Sequence, residues 1–169
     1  MRERQWSKTR KRLEQDLLCE ALRGRVRYFT TRYHGAHDQT GRVCIVVDGK
    51  EILNMPYETE FKIWLEADNR KVDGRPPAGM SMQDLDNEVA AEFMQNGVLG
   101  PWQLHDALDE FFVSGIEESL QSLNPLVRML AILDRRVGKR TLVKLKSTIE
   151  KQPAWLQYFY QLRFESEGL

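Results

Sequence analysis

The segment ILDRRVGKRTL (residues 132–142) places four cationic side chains around one glycine: Arg135, Arg136, Lys139 and Arg140. Beside the free amides at the start of a helix, such residues could bind phosphate or another anion. The segment lacks the glycine spacing of a phosphate-binding loop. Cations also collect where a helix ends, because they complement its dipole and its free carbonyls. We favour this second interpretation, in which the cluster joins two helices.

Arginines and aromatic residues alternate in RVRYFTTRYH (residues 25–34). A platform for single-stranded nucleic acid needs this combination, since cations contact phosphates and rings stack on bases. Edge strands also carry arginine to prevent aggregation, so the pattern has a structural alternative. A nucleic-acid surface would combine this strand with the basic face of the first predicted helix and with the basic cluster in residues 132–142. Its residues would be Lys8, Lys11, Arg12, Arg25, Arg27, Tyr33, Arg135, Arg136, Lys139 and Arg140.

The sequence patterns that could indicate metal binding or catalysis are weaker. His34, His37 and Asp38 could offer two imidazoles and a carboxylate to a metal, but no helix would hold the rings on one face. His105 lies in another predicted helix. The acidic residues of the middle region belong to the polar faces of predicted helices, opposite Phe61 and Trp64. The chain also lacks a nucleophile elbow and a glycine-rich nucleotide loop. We therefore expect no metal, no cofactor and no catalytic residue, and we lean against an enzyme.

The last predicted helix, PAWLQYFYQLRF, carries more aromatic residues than one buried face needs. Trp155, Phe159 and Leu162 form a stripe for the core. Three others spread further round the helix: Tyr158, Tyr160 and Phe164. Tyr and Trp contribute much of the binding energy at protein interfaces, so these three residues are candidates for a protein interface. Alternatively, they close the core from a second side.

The balanced total of 25 basic and 25 acidic residues hides a strong asymmetry. Residues 1–32 have ten Lys/Arg against four Asp/Glu, residues 48–118 have five against sixteen, and residues 128–146 have seven against one. Such regions either pair with each other or face a partner. Zero net charge weakens the case for nucleic acid. The longest strongly apolar run, VCIVV, is too short for a membrane span, and Cys19 and Cys44 are typical of buried, reduced thiols. We expect a cytoplasmic protein.

Hydrophobic periodicity predicts the elements that must position these residues. Ser7 caps a helix that runs to about Leu22. Strands follow at 25–34 and 42–47, and Asp48-Gly49 makes a two-residue hairpin turn that pairs Ile45 with Ile52. Apolar residues on both faces of the hairpin predict a sheet covered on both sides. After Pro56 the pattern is helical, apart from a loop at 70–81. Ser81 caps the helix that follows this loop, and Asn124-Pro125 opens a later helix.

The predicted fold class is α+β in a single domain, 1–169. An N-terminal helix and a three-stranded antiparallel meander occupy 1–56, and a mostly helical part packed on the sheet occupies 57–169.

Three stretches carry a resemblance to a known family: WSKTRKRLEQDLLCEALRGRVRYFTTRYHGAHDQTGRVCIVVDGKEIL, NPLVRMLAILDRRVGKRTL and QPAWLQYFYQLRFESEGL. In these, the chain resembles a family of bacterial conserved hypothetical proteins. The resemblance implies a small cytoplasmic protein and carries no activity or cofactor.

The function that these observations favour is a non-enzymatic intracellular binding protein that acts through protein–protein contact, with another protein or as a homo-oligomer. The alternative is an RNA- or DNA-binding protein that uses the basic residues of the first helix and first strand. The two are distinguished by whether the cations converge on one face.

Overall fold

Three short strands separate an irregular N-terminal helical segment from a mostly helical second half. The computed structural model describes residues 5–31 and 41–169. It confirms the predicted α+β class and the order of its parts. In chain order the described elements are α1 (Trp6–Lys11), β1 (Val26–Thr30), β2 (Val43–Val47), β3 (Lys50–Met55), α2 (Thr59–Asn69), α3 (Met82–Gln95), α4 (Pro101–Val113), α5 (Ile116–Leu120), α6 (Pro125–Leu133), α7 (Lys139–Leu145) and α8 (Ala154–Ser166).

The N-terminal segment is not the continuous helix predicted from Ser7 to Leu22. After α1 the chain continues as a π-helical turn over Arg12–Leu17 and a 3-10 turn over Glu20–Leu22. Between them, Leu18 adopts an extended conformation and forms a β-bridge with Asp134. The Cys19 amide donates to the Leu133 carbonyl at 2.9 Å, and the Arg135 amide donates to the Leu17 carbonyl at 2.8 Å. These long-range hydrogen bonds replace the helical ones, so the helix ends early.

The sheet is an antiparallel meander in the order β1-β2-β3. Asp48 and Gly49 have φ of 49° and 79°, as the predicted tight turn requires. Val47 pairs with Lys50 as predicted, but Ile45 pairs with Leu53 rather than Ile52. A bulge between Ile45 and Val46 shifts the register by one residue. Since side chains alternate along a strand, the shift moves Leu53 and Met55 to the face that holds Val43, Ile45 and Val47.

One face of the sheet enters the core and the other is largely uncovered. The inner face combines buried residues from all three strands: Val26, Tyr28, Val43, Ile45, Val47, Leu53 and Met55. On the outer face Cys44 is buried, but Phe29 is 39% exposed and Arg27, Glu51 and Asn54 are exposed. The prediction of a sheet covered on both sides is therefore wrong. The bulge explains this, because it gathers the apolar residues of β3 on one face.

Helix α6 is the centre of the helical half. All of its residues are buried except Arg128, which is half-buried, and it packs against α4, α5 and α8. Asn124 caps it by accepting the Leu126 amide at 3.0 Å, and Pro125 occupies its first turn, as predicted. The apolar faces of the helices and the inner face of the sheet form one continuous cluster.

Helices α2 and α3 pack on each other and form a second, smaller cluster. Its buried members are Ile63, Ala67, Leu85 and Val89. The loop predicted at 70–81 joins the two helices, and Ser81 caps α3 through reciprocal hydrogen bonds with Asp84. A hydrogen bond of 2.8 Å from the Trp155 indole to the Met94 carbonyl ties the end of α3 to α8.

Candidate functional site: an exposed aromatic stripe

Helix α2 has two apolar faces, and α3 covers one of them. Ile63 and Ala67 are buried against α3, together with Thr59 at the start of the helix. The Thr59 hydroxyl donates to the Leu99 carbonyl at 3.0 Å. These residues recur at intervals of four, which places them on one side of a helix. The inward face of α2 is thus fixed by small and β-branched residues rather than by its aromatic ones.

The opposite side presents four large apolar side chains to solvent, three from α2 and one from the turn before it. Tyr57 is 46% exposed, Phe61 63%, Trp64 53% and Leu65 43%. The spacing of Phe61, Trp64 and Leu65 puts them on one side of the helix, and Tyr57 lies in the turn that leads into it. We call this set of four residues the α2 stripe. Apolar side chains exposed singly are normal on a protein surface, but a contiguous group marks an interaction site.

The rings at the centre of the stripe are in contact. Phe61 and Trp64 stack with their centroids 5.8 Å apart and their planes at 29°. Charged residues border them: at 3.6 residues per turn, Glu60 falls beside Trp64 and Lys62 beside Leu65, while Glu58, at the start of the helix, falls one turn before Phe61. Among the described residues, none of these three charged side chains has an ion-pair partner. The stripe is therefore an aromatic surface with a charged rim that is free to pair.

Ion pairs hold the helix that carries the stripe. The Arg70 guanidinium donates to Glu66 on α2 at 2.9 Å and to both carboxylate oxygens of Glu92 on α3 at 3.0 and 2.7 Å. Arg70 holds the pKa of the Glu92 carboxyl below its ordinary value. Because this fork links the ends of the two helices, the stripe is presented by a helix whose orientation is already set.

The predicted interface on α8 has a different environment. Tyr160 is fully buried, Phe164 is 4% exposed, and their rings meet edge to face at 6.3 Å. Tyr158 is half-buried, with its ring 5.4 Å from that of Phe159. Tyr160 and Phe164 therefore lie in the core. They close it from a second side, which is the alternative interpretation of the sequence. Only Tyr158 retains a partly open surface.

Two of the predicted basic segments lie side by side. The bridge between Leu18 and Asp134 joins the N-terminal helical segment to the basic cluster. As a result Arg12 lies over the Phe112 ring at 4.0 Å and Arg136 lies over the neighbouring Phe111 ring at 5.6 Å. Arg136 also forms two side-chain hydrogen bonds with the buried Asp134, at 3.0 and 2.9 Å.

The remaining basic candidates divide between internal contacts and open surface. Arg25 forms a two-point ion pair with Asp48 at 2.9 and 2.8 Å, and Lys139 donates to the Glu167 carbonyl at 3.2 Å. Arg27 lines a cleft of about 380 Å³ together with Glu14 and Arg23. The exposed side chains among these candidates are Lys8, Lys11, Arg27, Arg135, Lys139 and Arg140. Tyr33 lies outside the described residues.

Metal-binding groups do not converge in the part of the chain that the structure describes. His34, His37 and Asp38 lie outside it. The His105 ring packs edge to face on Trp6, with the centroids 6.2 Å apart. Both cysteines are buried free thiols, and burial raises the pKa of the Cys44 thiol. Over residues 5–31 and 41–169, no helix has both the length and the apolar character needed to cross a bilayer.

Comparison with known proteins identifies a family. The model of the SF0329 protein family matches residues 5–164. The chain belongs to this family. No curated protein and no solved structure matches it. The matched region includes the whole α2–α3 unit, so the stripe of this SF0329 family member lies inside the family match.

Sequence reasoning missed the α2 stripe because it assigned Phe61 and Trp64 to the inward face of their helix. One signal in the sequence points to the stripe. Ile63 and Ala67 are also apolar and lie on the other side, so the helix has more apolar residues than a single buried face needs. A surface helix of this SF0329 family member therefore leaves one apolar face without cover from the described residues.

Proposed function

We propose that this protein is a non-enzymatic binding protein that acts through protein–protein contact at the α2 stripe. The observation that carries the proposal is the exposure of four large apolar side chains, three on one face of α2 and one in the turn before it. Aromatic residues dominate the energy of protein interfaces, and here two of them are stacked and held by a fixed helix. We thus propose the interface on α2 in place of the one predicted from the sequence on α8.

We further infer that the protein works in the cytoplasm of a bacterium, as its resemblance implies. Two free, buried thiols suit a reducing compartment.

Site-specific photo-crosslinking in cells that express the protein naturally tests the proposal. A photoreactive phenylalanine analogue replaces Trp64, and a matched control places it at Leu123, an isolated side chain that is 95% exposed. We expect a discrete adduct with a protein from position 64 only, and we expect Phe61→Ser to abolish it. Mass spectrometry would identify the adduct. Equal crosslinking from both positions, or none from position 64, would contradict the proposal.

A second candidate function, RNA or DNA binding, is favoured by one observation. The Leu18–Asp134 bridge places Arg12 and Arg136 over neighbouring rings, near the exposed Arg135. Fluorescence anisotropy with a labelled single-stranded RNA and a matched DNA at several salt concentrations tests it. Binding that weakens log-linearly with salt and is reduced by Arg12→Gln would support this candidate, because such a slope counts phosphate contacts. A lack of binding at low salt would remove it.

A further inference from the structure

We propose that the occupant of the α2 stripe is a cationic amphipathic helix of another protein. This inference rests on the proposed function, and it adds the chemical class of the partner. The stripe provides apolar side chains on which a partner can pack, and the charged residues around it determine which charge that partner carries.

The rim of the stripe is acidic and available. Glu58 and Glu60 are exposed and unpaired among the described residues, against a single nearby cation, Lys62. Asp68 is neutralised by Lys71 at 2.7 Å. The imbalance extends to the whole α2–α3 unit, because residues 57–99 hold nine Asp/Glu against four Lys/Arg. A partner with basic residues beside its own apolar stripe gains opposite-charge contacts at this rim and a faster approach.

The same charges disfavour phosphate-bearing partners at this face. Nucleic acid and anionic lipid both require cations, and helices that lie on membranes carry Lys and Arg on their polar face. The charged residues of α2 are mostly acidic, and Arg70 is already engaged by Glu66 and Glu92. A membrane surface or a nucleic acid would meet repulsion where a cationic protein meets attraction.

A second copy of the chain is also disfavoured as the occupant. Symmetric pairing of two stripes would bring two acidic α2–α3 units together, since a two-fold interface places the same patch on both subunits. Like charges facing each other across an interface oppose association. The charge argument therefore selects a different protein.

The spacing of the anchors indicates a helix as the binding segment. Phe61 and Leu65 are four residues apart, about 6 Å at the helical rise of 1.5 Å per residue, and Tyr57 lies in the turn just before the helix. Anchors at Phe61, Trp64 and Leu65 form a ridge on the helix that packs against the apolar stripe of another helix, and Tyr57 extends it toward the start of α2. Two turns make a small interface, so the contact is a transient one.

Two synthetic helical peptides test the proposal with the full chain. They share one Leu/Ile stripe and differ in the residues beside it, which are Lys in one peptide and Glu in the other. Fluorescence anisotropy measures their affinities at about 0.15 M ionic strength, where exposed charges are screened beyond about 8 Å. We expect the Lys peptide to bind about tenfold more tightly than the Glu peptide, because each exposed ion pair contributes modestly.

Variants of the chain assign that binding to the stripe and its rim. Phe61→Ser with Trp64→Ser should abolish binding of the Lys peptide. The matched control, Val113→Ser with Leu123→Ser, alters two apolar residues that are 86% and 95% exposed elsewhere and should leave binding unchanged. Glu58→Gln with Glu60→Gln should preserve the stripe and reduce the preference for Lys severalfold. Unchanged melting temperatures would show that the variants are folded.

The outcomes separate this inference from the proposed function. Equal or tighter binding of the Glu peptide, still lost in Phe61→Ser with Trp64→Ser, would overturn the cationic partner and keep protein binding at the stripe. A dimer in sedimentation that the same two substitutions dissociate would replace the partner with a second copy. Stripe-dependent binding to phosphatidylglycerol vesicles, or no stripe-dependent binding of either peptide, would overturn both.

Discussion

Helices α2 and α8 both carry large aromatic residues, two on α2 and five on α8, but these residues differ in burial. On α8, Phe159 and Tyr160 lie at adjacent positions and both are fully buried, because the core surrounds the helix on more than one side. On α2, Ile63 and Ala67 occupy the only face that α3 covers, and the aromatic residues point away. The difference shows that aromatic surplus alone does not locate an interface. What decides is how many neighbouring elements are available to cover the helix.

The largest expected effect comes from removing an aromatic ring of α8. Phe159→Ala should lower the free energy of unfolding by about 3–5 kcal/mol, because it deletes a fully buried ring and leaves a cavity. Phe61→Ala on α2 is the matched control and should change it by no more than about 0.5 kcal/mol, since that ring is 63% exposed. Urea unfolding of the two variants measures both. Similar losses in the two would contradict the distinction between the helices.

The two faces of α2 itself should differ nearly as much. Ile63→Ala should cost about 2–3 kcal/mol, near the lower end for a buried isoleucine, because its cluster is small and the residue is 7% exposed. Leu65→Ala, two positions on, is the matched control on the stripe. We expect near-wild-type stability from it in the same denaturant experiment. A larger loss from Leu65 than from Ile63 would mean that the stripe is the packed face.

Sequence reasoning worked best where a feature depends on local residues. The Asp48-Gly49 turn, the Ser81 cap with Asp84, and Asn124-Pro125 at the start of α6 are each determined by a few neighbouring residues, and the structure confirms them. The register beyond the turn was wrong by one residue, because the bulge at Ile45 and Val46 gathers Leu53 and Met55 on the core face. The local pattern alternates equally well in either register.

Long-range contacts explain the other differences. The pattern from Ser7 to Leu22 is helical, but Leu18 pairs with Asp134, more than a hundred residues away in the chain. The stripe was missed for the same reason. Either face of α2 could have been buried, and only the position of α3 decides which one is. Composition alone therefore identifies helices with surplus aromatic residues, but it does not show which of those residues the core buries.

A smaller effect on stability is expected from a buried tyrosine of α8. Within the described residues the Tyr160 hydroxyl is buried without a hydrogen-bond partner, and burial raises the pKa of this tyrosine. Tyr160→Phe removes that unpaired group and keeps the ring, so it should raise the free energy of unfolding by about 0.5–1 kcal/mol. Tyr158→Phe on the half-buried side is the control and should be neutral. Urea unfolding measures both, and a clear loss of stability in Tyr160→Phe would show that the hydroxyl has a partner.

The smallest predicted effect concerns the ion pair that orients the stripe. Arg70 holds the pKa of the Glu92 carboxyl below its ordinary value of 4.5 in the folded protein, whereas the unfolded chain titrates near that value. Between the two pKa values the unfolded state binds more protons, so stability falls as pH falls. The contribution is complete above about pH 4.5 and disappears as pH drops through the folded pKa. The protection factors of α2 amides, which correct for the slower intrinsic exchange at low pH, should therefore fall in acid before those of α8.

The variant Arg70→Met isolates this contribution. It should make α2 exchange faster at neutral pH and remove the Glu92 part of the acid dependence, while leaving α8 unchanged. Arg25→Met is the matched control, because Arg25 lowers the pKa of Asp48 in the same way at the β-hairpin. That variant should alter exchange in the hairpin and leave α2 as it was. If α2 in Arg70→Met kept the wild-type pH profile, the α2–α3 cluster alone would orient the stripe. The ion pair would then contribute nothing to its presentation.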